Sequence, residues 1–141
     1  MKVTFMHLCD YAIVSRDGKL SLLGIRERIH AAVFPWPHPT LFFVFQLQAD
    51  STDRGREFAV KVQCIDQDGN HLLEGVLPVQ PREGGEPWEF QSHNQVMELH
   101  GFPFPRAGTY EFVIGWEGMT VGPDSPARLR FEVAAVKAPD A

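Results

Sequence analysis

Apolar and polar residues alternate one by one along most of this chain. In "TLFFVFQLQA" (residues 40–49), Leu41, Phe43, Phe45 and Leu47 fall on one face and Gln46 and Gln48 on the other. "REFAVKVQCID" (56–66) sets Phe58, Val60, Val62 and Cys64 against Lys61 and Gln63. "TYEFVIGW" (109–116) aligns Tyr110, Phe112, Ile114 and Trp116, and "ARLRFEV" (127–133) aligns Leu129, Phe131 and Val133 against Arg128, Arg130 and Glu132. A period of two is that of half-buried strands. No stretch supports a helix of useful length, because 11 prolines and 12 glycines interrupt the chain.

The punctuation between these runs is that of hairpins. Arg16-Asp17-Gly18-Lys19, Asp68-Gly69-Asn70 and Glu117-Gly118 read as turns. "PREGGEP" (81–87) reads as a solvent loop, and "FPWPHP" (34–39), with three alternating prolines, as a stiff extended crossover. The pattern predicts an all-β chain of eight or nine short antiparallel strands in a two-sheet sandwich, one domain over residues 1–136 with a frayed tail at 137–141. In "FPRAGTYEFVIGW" (104–116) a Gly-Thr-Tyr enters a strand after a proline-rich corner. This segment resembles the tyrosine corner of immunoglobulin-like sandwiches, in which the ring packs inward and its hydroxyl bonds backbone upstream. Phe112 stands where such domains place a cysteine, so the resemblance extends to the architecture and not to the disulfide.

The whole chain is also similar to an uncharacterised family of small bacterial proteins, a domain of unknown function. The similarity is carried by "LCDYA" (8–12), "DGKLSLLGI" (17–25), "FPWPHP" (34–39), "NQVMELHGFPFP" (94–105) and "GTYEF" (108–112). It implies a single-domain cytosolic β-protein in a bacterium and brings no activity with it. Arg26-Glu27-Arg28 departs from it, being more charged than expected at a strand end.

Charge narrows the function classes. The net charge is −5 and the 13 Lys and Arg are scattered without a basic stripe, which disfavours nucleic-acid binding. No apolar run approaches the roughly 20 residues that span a bilayer, so no membrane partner is expected. No export signal is recognisable at the start, so a cytoplasmic location is expected, with Cys9 and Cys64 as free thiols.

The stretch that looks most like chemistry is "MHLCDYA" (6–12). On a strand, His7, Cys9 and Tyr11 share a face with Val3, Phe5 and Ile13, while Asp10 points away with Met6 and Leu8. A cysteine nucleophile needs a base at hydrogen-bond distance and an electropositive setting. His7 and Cys9 alone do not supply these, so the stretch reads as a strand buried on both faces, ended or bulged at Asp10. "DQDGNHLLE" (66–74) places its glycine and glutamate wrongly for a calcium loop and reads as a hairpin. The six histidines show no zinc spacing, so neither a metal nor a cofactor is expected.

What remains are aromatics beside Pro or Gly at strand ends: Trp36, Trp88 and Trp116. Trp116, with Met119, is expected to be exposed on a hairpin tip, and Trp36 with His38 to sit in the rigid crossover. These four are the candidate binding residues. The leading expectation is a non-catalytic module that binds a protein partner or self-associates as a homodimer, through rim loops or an open sheet edge. The alternatives are a small-ligand or carbohydrate binder using the rim tryptophans, and a cysteine enzyme at Cys9.

Overall fold

A computed structural model describes residues 1–119 and 126–136. Its strands are β1 (Lys2–Val14), β2 (Leu20–Arg26), β3 (Arg28–Ala31), β4 (Trp36–Ala49), β5 (Phe58–Asp66), β6 (His71–Val79), β7 (Gln91–Phe104), β8 (Gly108–Gly115) and β9 (Ala127–Ala135). They form two sheets, β2-β1-β4-β7 and β3-β9-β8-β5-β6. All pairings are antiparallel except β3 with β9. The all-β sandwich of nine strands is thus the arrangement that the period-two pattern predicts. A short 3-10 turn, Ser51–Asp53, is the one helical element among the described residues, and it is closed by a capping box between Asp50 and Asp53. The expected tail at 137–141 lies outside the described residues.

Alternation puts one face of each sheet into a shared core. Leu41, Phe43, Phe45 and Leu47 of β4 meet Val60, Val62 and Cys64 of β5 and Phe112 and Ile114 of β8, all buried. The Phe43 and Phe112 rings stack across the two sheets with centroids 4.1 Å apart. Phe104, Tyr110 and Phe131 close one end of this core edge to face and stacked. Tyr110 is buried, and its hydroxyl donates to the Arg106 carbonyl at 2.6 Å, which satisfies a phenol that would otherwise be costly to bury.

The four-stranded sheet departs from simple alternation along one line. Cys9 pairs with Ile25 and Tyr11 with Leu23, but the ladder skips Asp10 and Gly24. Likewise His38 pairs with Phe102 and Thr40 with His100, but the ladder skips Pro39 and Gly101. Gly24 and Gly101 have φ of 69° and 60°, the left-handed region that favours glycine. Each break reverses which face a given parity occupies. On β7, Met97 and Leu99 pack against the core before the break, and Phe102 and Phe104 are in it afterwards. On β1, Leu8 is in the core and Cys9 on the outer face, yet beyond the break it is Ala12 that joins Cys9.

Two expectations are corrected here. Residues 36–39 are strand, not crossover: they pair with β7, and the change of sheet takes place in residues 32–35. The prolines fit because β1 pairs with β4 only over residues 42–48. Pro37 and Pro39, lacking N–H groups, therefore face a side of β4 with no ladder to break. Also, Val3, Phe5, Tyr11 and Ile13 do not share one face. A register shift between Val3 and Phe5 sends Val3 to the core side, and the break at Asp10 turns Tyr11 and Ile13 to solvent.

Gly101→Ala has open space for its methyl, so its cost is that of the backbone, about 1–2 kcal/mol. Gly24→Ala adds a clash with the Asp10 carboxylate and should cost more. Urea denaturation checks both; unchanged midpoints would contradict the role given to these breaks.

Candidate functional site

The β1–β2 hairpin does not extend the four-stranded sheet edgewise but folds over its outer face. Ala12, Leu20 and Leu22 pack on Phe42 and Val44 of β4, with Phe5, Cys9 and Val96 filling the layer. At the tip, the Asn94 side-chain amide of β7 donates to the Gly18 carbonyl at 3.5 Å. Asn94 in turn accepts from Gln46 Nε2 at 2.9 Å, and Gln46 Oε1 accepts from the Thr4 hydroxyl at 2.7 Å. At the base, Arg26 bonds Asp10. This layer explains why Phe42 and Val44, on the outer face of β4, are nevertheless buried.

With Ala12, Leu20 and Leu22 turned inward, the hairpin presents Ile13 and Leu23 to water, and Tyr11, half exposed, sets its ring edge-on to Phe42 at 5.4 Å. Tyr11 and Leu23 stand opposite each other, with Ile13 beside them. Leu23 is 64% exposed and Ile25, at the base, 56%. Of the ten large apolar side chains exposed among the described residues, five lie between Tyr11 and Ile25. Beside the hairpin, Phe5, His7, Lys19, Leu22, Gln46 and Asn94 are among the residues lining a groove of about 680 Å³. β2 is also an edge of its sheet.

"MHLCDYA" is the strand that leads into this hairpin, buried on both faces at Leu8 and Cys9. Burial, with the Asp10 charge adding to it, pushes the Cys9 thiol above its ordinary value. Burial likewise pushes Cys64 up to about 12. An activated thiolate needs the opposite. No cluster of three or more potential metal ligands occurs among the described residues. In "DQDGNHLLE", Asp66 Oδ1 accepts from the backbone N–H groups of Asp68 and Asn70, both at 2.9 Å, which makes the stretch a turn.

The four candidate binding residues do not converge on the hairpin face. Trp36 packs against the core and its indole N–H donates to His38 Nδ1 at 3.2 Å. His38 is buried, and burial together with the nearby Arg26 lowers its pKa. Trp116 and Met119 are half-buried against the core, joined by a turn in which Met119 N donates to the Trp116 carbonyl. The expectation that Trp116 is exposed is therefore corrected: the indole packs against the core. The exposed tryptophan is Trp88, at 77%. Its loop is held by the Arg54 guanidinium, which donates to the carbonyls of Gly85, Glu86 and Glu89. Arg26-Glu27-Arg28, unexpected as a strand end, is where the chain passes between sheets. Arg26 pairs with Asp10 on one, and Arg28 with Glu132 at 2.6 Å on the other.

Sequence reasoning missed the hairpin face because period two alone assigns Tyr11 and Ile13 to the Cys9 side. A glycine inside the apolar run "SLLGI" (21–25) was the one available signal of a break.

The family model for a family of unknown function, DUF6941, matches residues 4–123, and the chain belongs to that family. Comparison with curated proteins gave no match. Among the described residues no helix is long and apolar enough to cross a membrane.

Two outcomes follow from the buried groups. Cys9 and Cys64 should fail to react with Ellman's reagent near neutral pH until denaturant is added; rapid labelling of the native protein would contradict the burial argument. His38 and His93 both have lowered pKa values, His93 through burial and the nearby Arg82. Their neutral forms stabilise the fold above the unfolded histidine value of about 6.5, and this contribution is lost as pH falls below it. Stability should thus drop between pH 7 and 5, and drop less in His38→Gln/His93→Gln; equal drops would contradict this.

Proposed function

We propose that this protein is a protein-interaction module whose docking surface is the outward face of the β1–β2 hairpin. One observation carries this reading: half of the exposed large apolar side chains among the described residues lie within one short hairpin. Scattered surface leucines need no explanation, but a cluster of exposed apolar side chains on one hairpin, with Tyr11 opposite Leu23 and Ile13 beside them, marks an interaction site. The hairpin is already held by its strand pairing, its packing on β4 and the Asn94–Gly18 contact, so little ordering is left to be done on binding. Neither thiol is set up as a nucleophile, which also favours binding over cysteine chemistry.

Related features of the reading have their own support. The parallel β3–β9 pair and the Tyr110–Arg106 bond at the start of β8 favour an immunoglobulin-like architecture. Two buried free thiols suit a reducing cytoplasm, and the family resemblance a bacterial source. A second reading, small-ligand binding, is favoured by a groove of about 380 Å³ on the outer side of the five-stranded sheet, where Trp116 meets Val76 and Val113. Quenching of tryptophan fluorescence by a metabolite panel, lost in Trp116→Phe, tests it.

For the leading reading, the tagged protein and its Ile13→Asp/Leu23→Asp variant should be compared by affinity capture from lysate and by cross-linking. Both positions are exposed, so the variant should keep the wild-type melting temperature. The expected result is a partner held by the wild type and lost by the variant. Identical capture by both would contradict the proposal.

A further inference from the structure

We propose that the groove between the folded-over hairpin and the outer face of the four-stranded sheet binds a small organic acid, an apolar chain or ring ending in a single carboxylate. The groove holds about 680 Å³, within the range of ligand pockets. The inference is separate from the docking reading, since neither Ile13 nor Leu23 lines this groove.

The first ground is the pair of walls. On the sheet side, the Phe5 and His7 rings stack with centroids 5.7 Å apart and planes at 25°, which makes a flat floor. On the other side, β2 contributes Leu20, Leu22 and Ile25. Leu20 and Leu22 are packed on Phe42 and Val44, so this wall is fixed before a ligand arrives. Ile25 is 56% exposed, apolar surface that a ligand filling the groove would take out of water.

The second ground is charge. Apart from the imidazole of His7, Lys19 is the one ionisable side chain lining the groove among the described residues, and no carboxylate lines it. The Lys19–Asp17 pair, at 3.3 Å between two exposed side chains, is of the kind that contributes little. The Ser15 hydroxyl holds Asp17 independently of it. The neutral polar groups add donors. Gln46 Oε1 already accepts from Thr4, and Asn94 Oδ1 from Gln46, so what the two amides have left to offer is chiefly N–H. Asn94 Nδ2 makes only a 3.5 Å contact with the Gly18 carbonyl, and Ser92 brings a hydroxyl. One ammonium with neutral donors between apolar walls selects an anion of single charge. A cationic ligand would face Lys19, and a doubly charged phosphate ester calls for a second cation that the groove does not supply.

The test is calorimetric titration of this chain with hexanoate, octanoate and decanoate below their micellar concentrations, with octanol and octylammonium as controls. The carboxylates should bind, each added methylene tightening binding by about two- to fourfold, and octylammonium should not. Lys19→Ala should weaken octanoate binding by about threefold or more and leave the weaker binding of octanol unchanged. Ile25→Glu, which sets a carboxylate in the lining, should abolish octanoate binding and admit octylammonium. Both positions are exposed, so folding is preserved, and circular dichroism verifies it. No saturable binding of any of the three carboxylates would overturn the site. So would equal binding of octylammonium by the wild type, or octanoate binding indifferent to both variants. Ile13→Asp/Leu23→Asp should bind octanoate as the wild type does. Loss of octanoate there would put the acid on the docking face and overturn the groove, whereas loss of captured protein alone would leave both readings standing.

Discussion

The arrangement depends on one constraint: two points where the ladder of the four-stranded sheet is interrupted by a left-handed glycine. Asp10 faces Gly24, and Pro39 faces Gly101. A strand cannot exchange its faces while staying in regular register, and an L-residue resists the left-handed backbone that such an exchange uses here. With glycine at both points, β4 and β7 bring Trp36, Phe102 and Phe104 onto the core beyond the break. The same sheet keeps Leu41, Phe43, Phe45 and Leu47 inward on the other side of it. Without the exchange, Phe102 and Phe104 would face water and the end of the sandwich would lose its aromatic closure.

On the other side of the sheet, the same device creates the surface that the molecule offers. The reversal at Asp10 and Gly24 lets the hairpin lie over β4 with Ala12, Leu20 and Leu22 inward. The Arg26–Asp10 pair at its base and the Asn94–Gly18 contact at its tip hold it there. Ile13 and Leu23 are left in solvent, while Tyr11, half exposed, keeps its ring edge-on to Phe42. The exposed apolar face is therefore a product of how the hairpin is folded back, and not of a surplus of apolar residues.

The strands and tight turns were legible in the sequence because they rest on local signals, alternation over six or more residues and Asp-Gly turns. The core faces of β4, β5, β8 and β9 follow from that alternation alone. The hairpin layer does not. A register shift at Val3 and a break at Asp10 each move side chains between faces; the first depends on the distant strand β4 and the second on Gly24 across the hairpin. Residues 34–39 misled for a related reason. Proline argues against a strand only if the neighbour on its N–H side is present, and β1 ends its pairing with β4 before reaching it. The place of Trp116 next to a turn suggests exposure, whereas its packing against the core, with Met119 close in the chain, half-buries it.

The central claim is that Leu20 and Leu22 lie beneath the hairpin, against Phe42 and Val44, while Ile13 and Leu23 lie above it. Methyl-resolved NMR with a soluble paramagnetic agent tests it most directly. The account predicts cross-peaks from the Leu20 and Leu22 methyls to the Phe42 ring, with the Leu23 and Ile13 methyls broadened by the agent. Cross-peaks from Leu23 to Phe42, with Leu22 broadened instead, would contradict it.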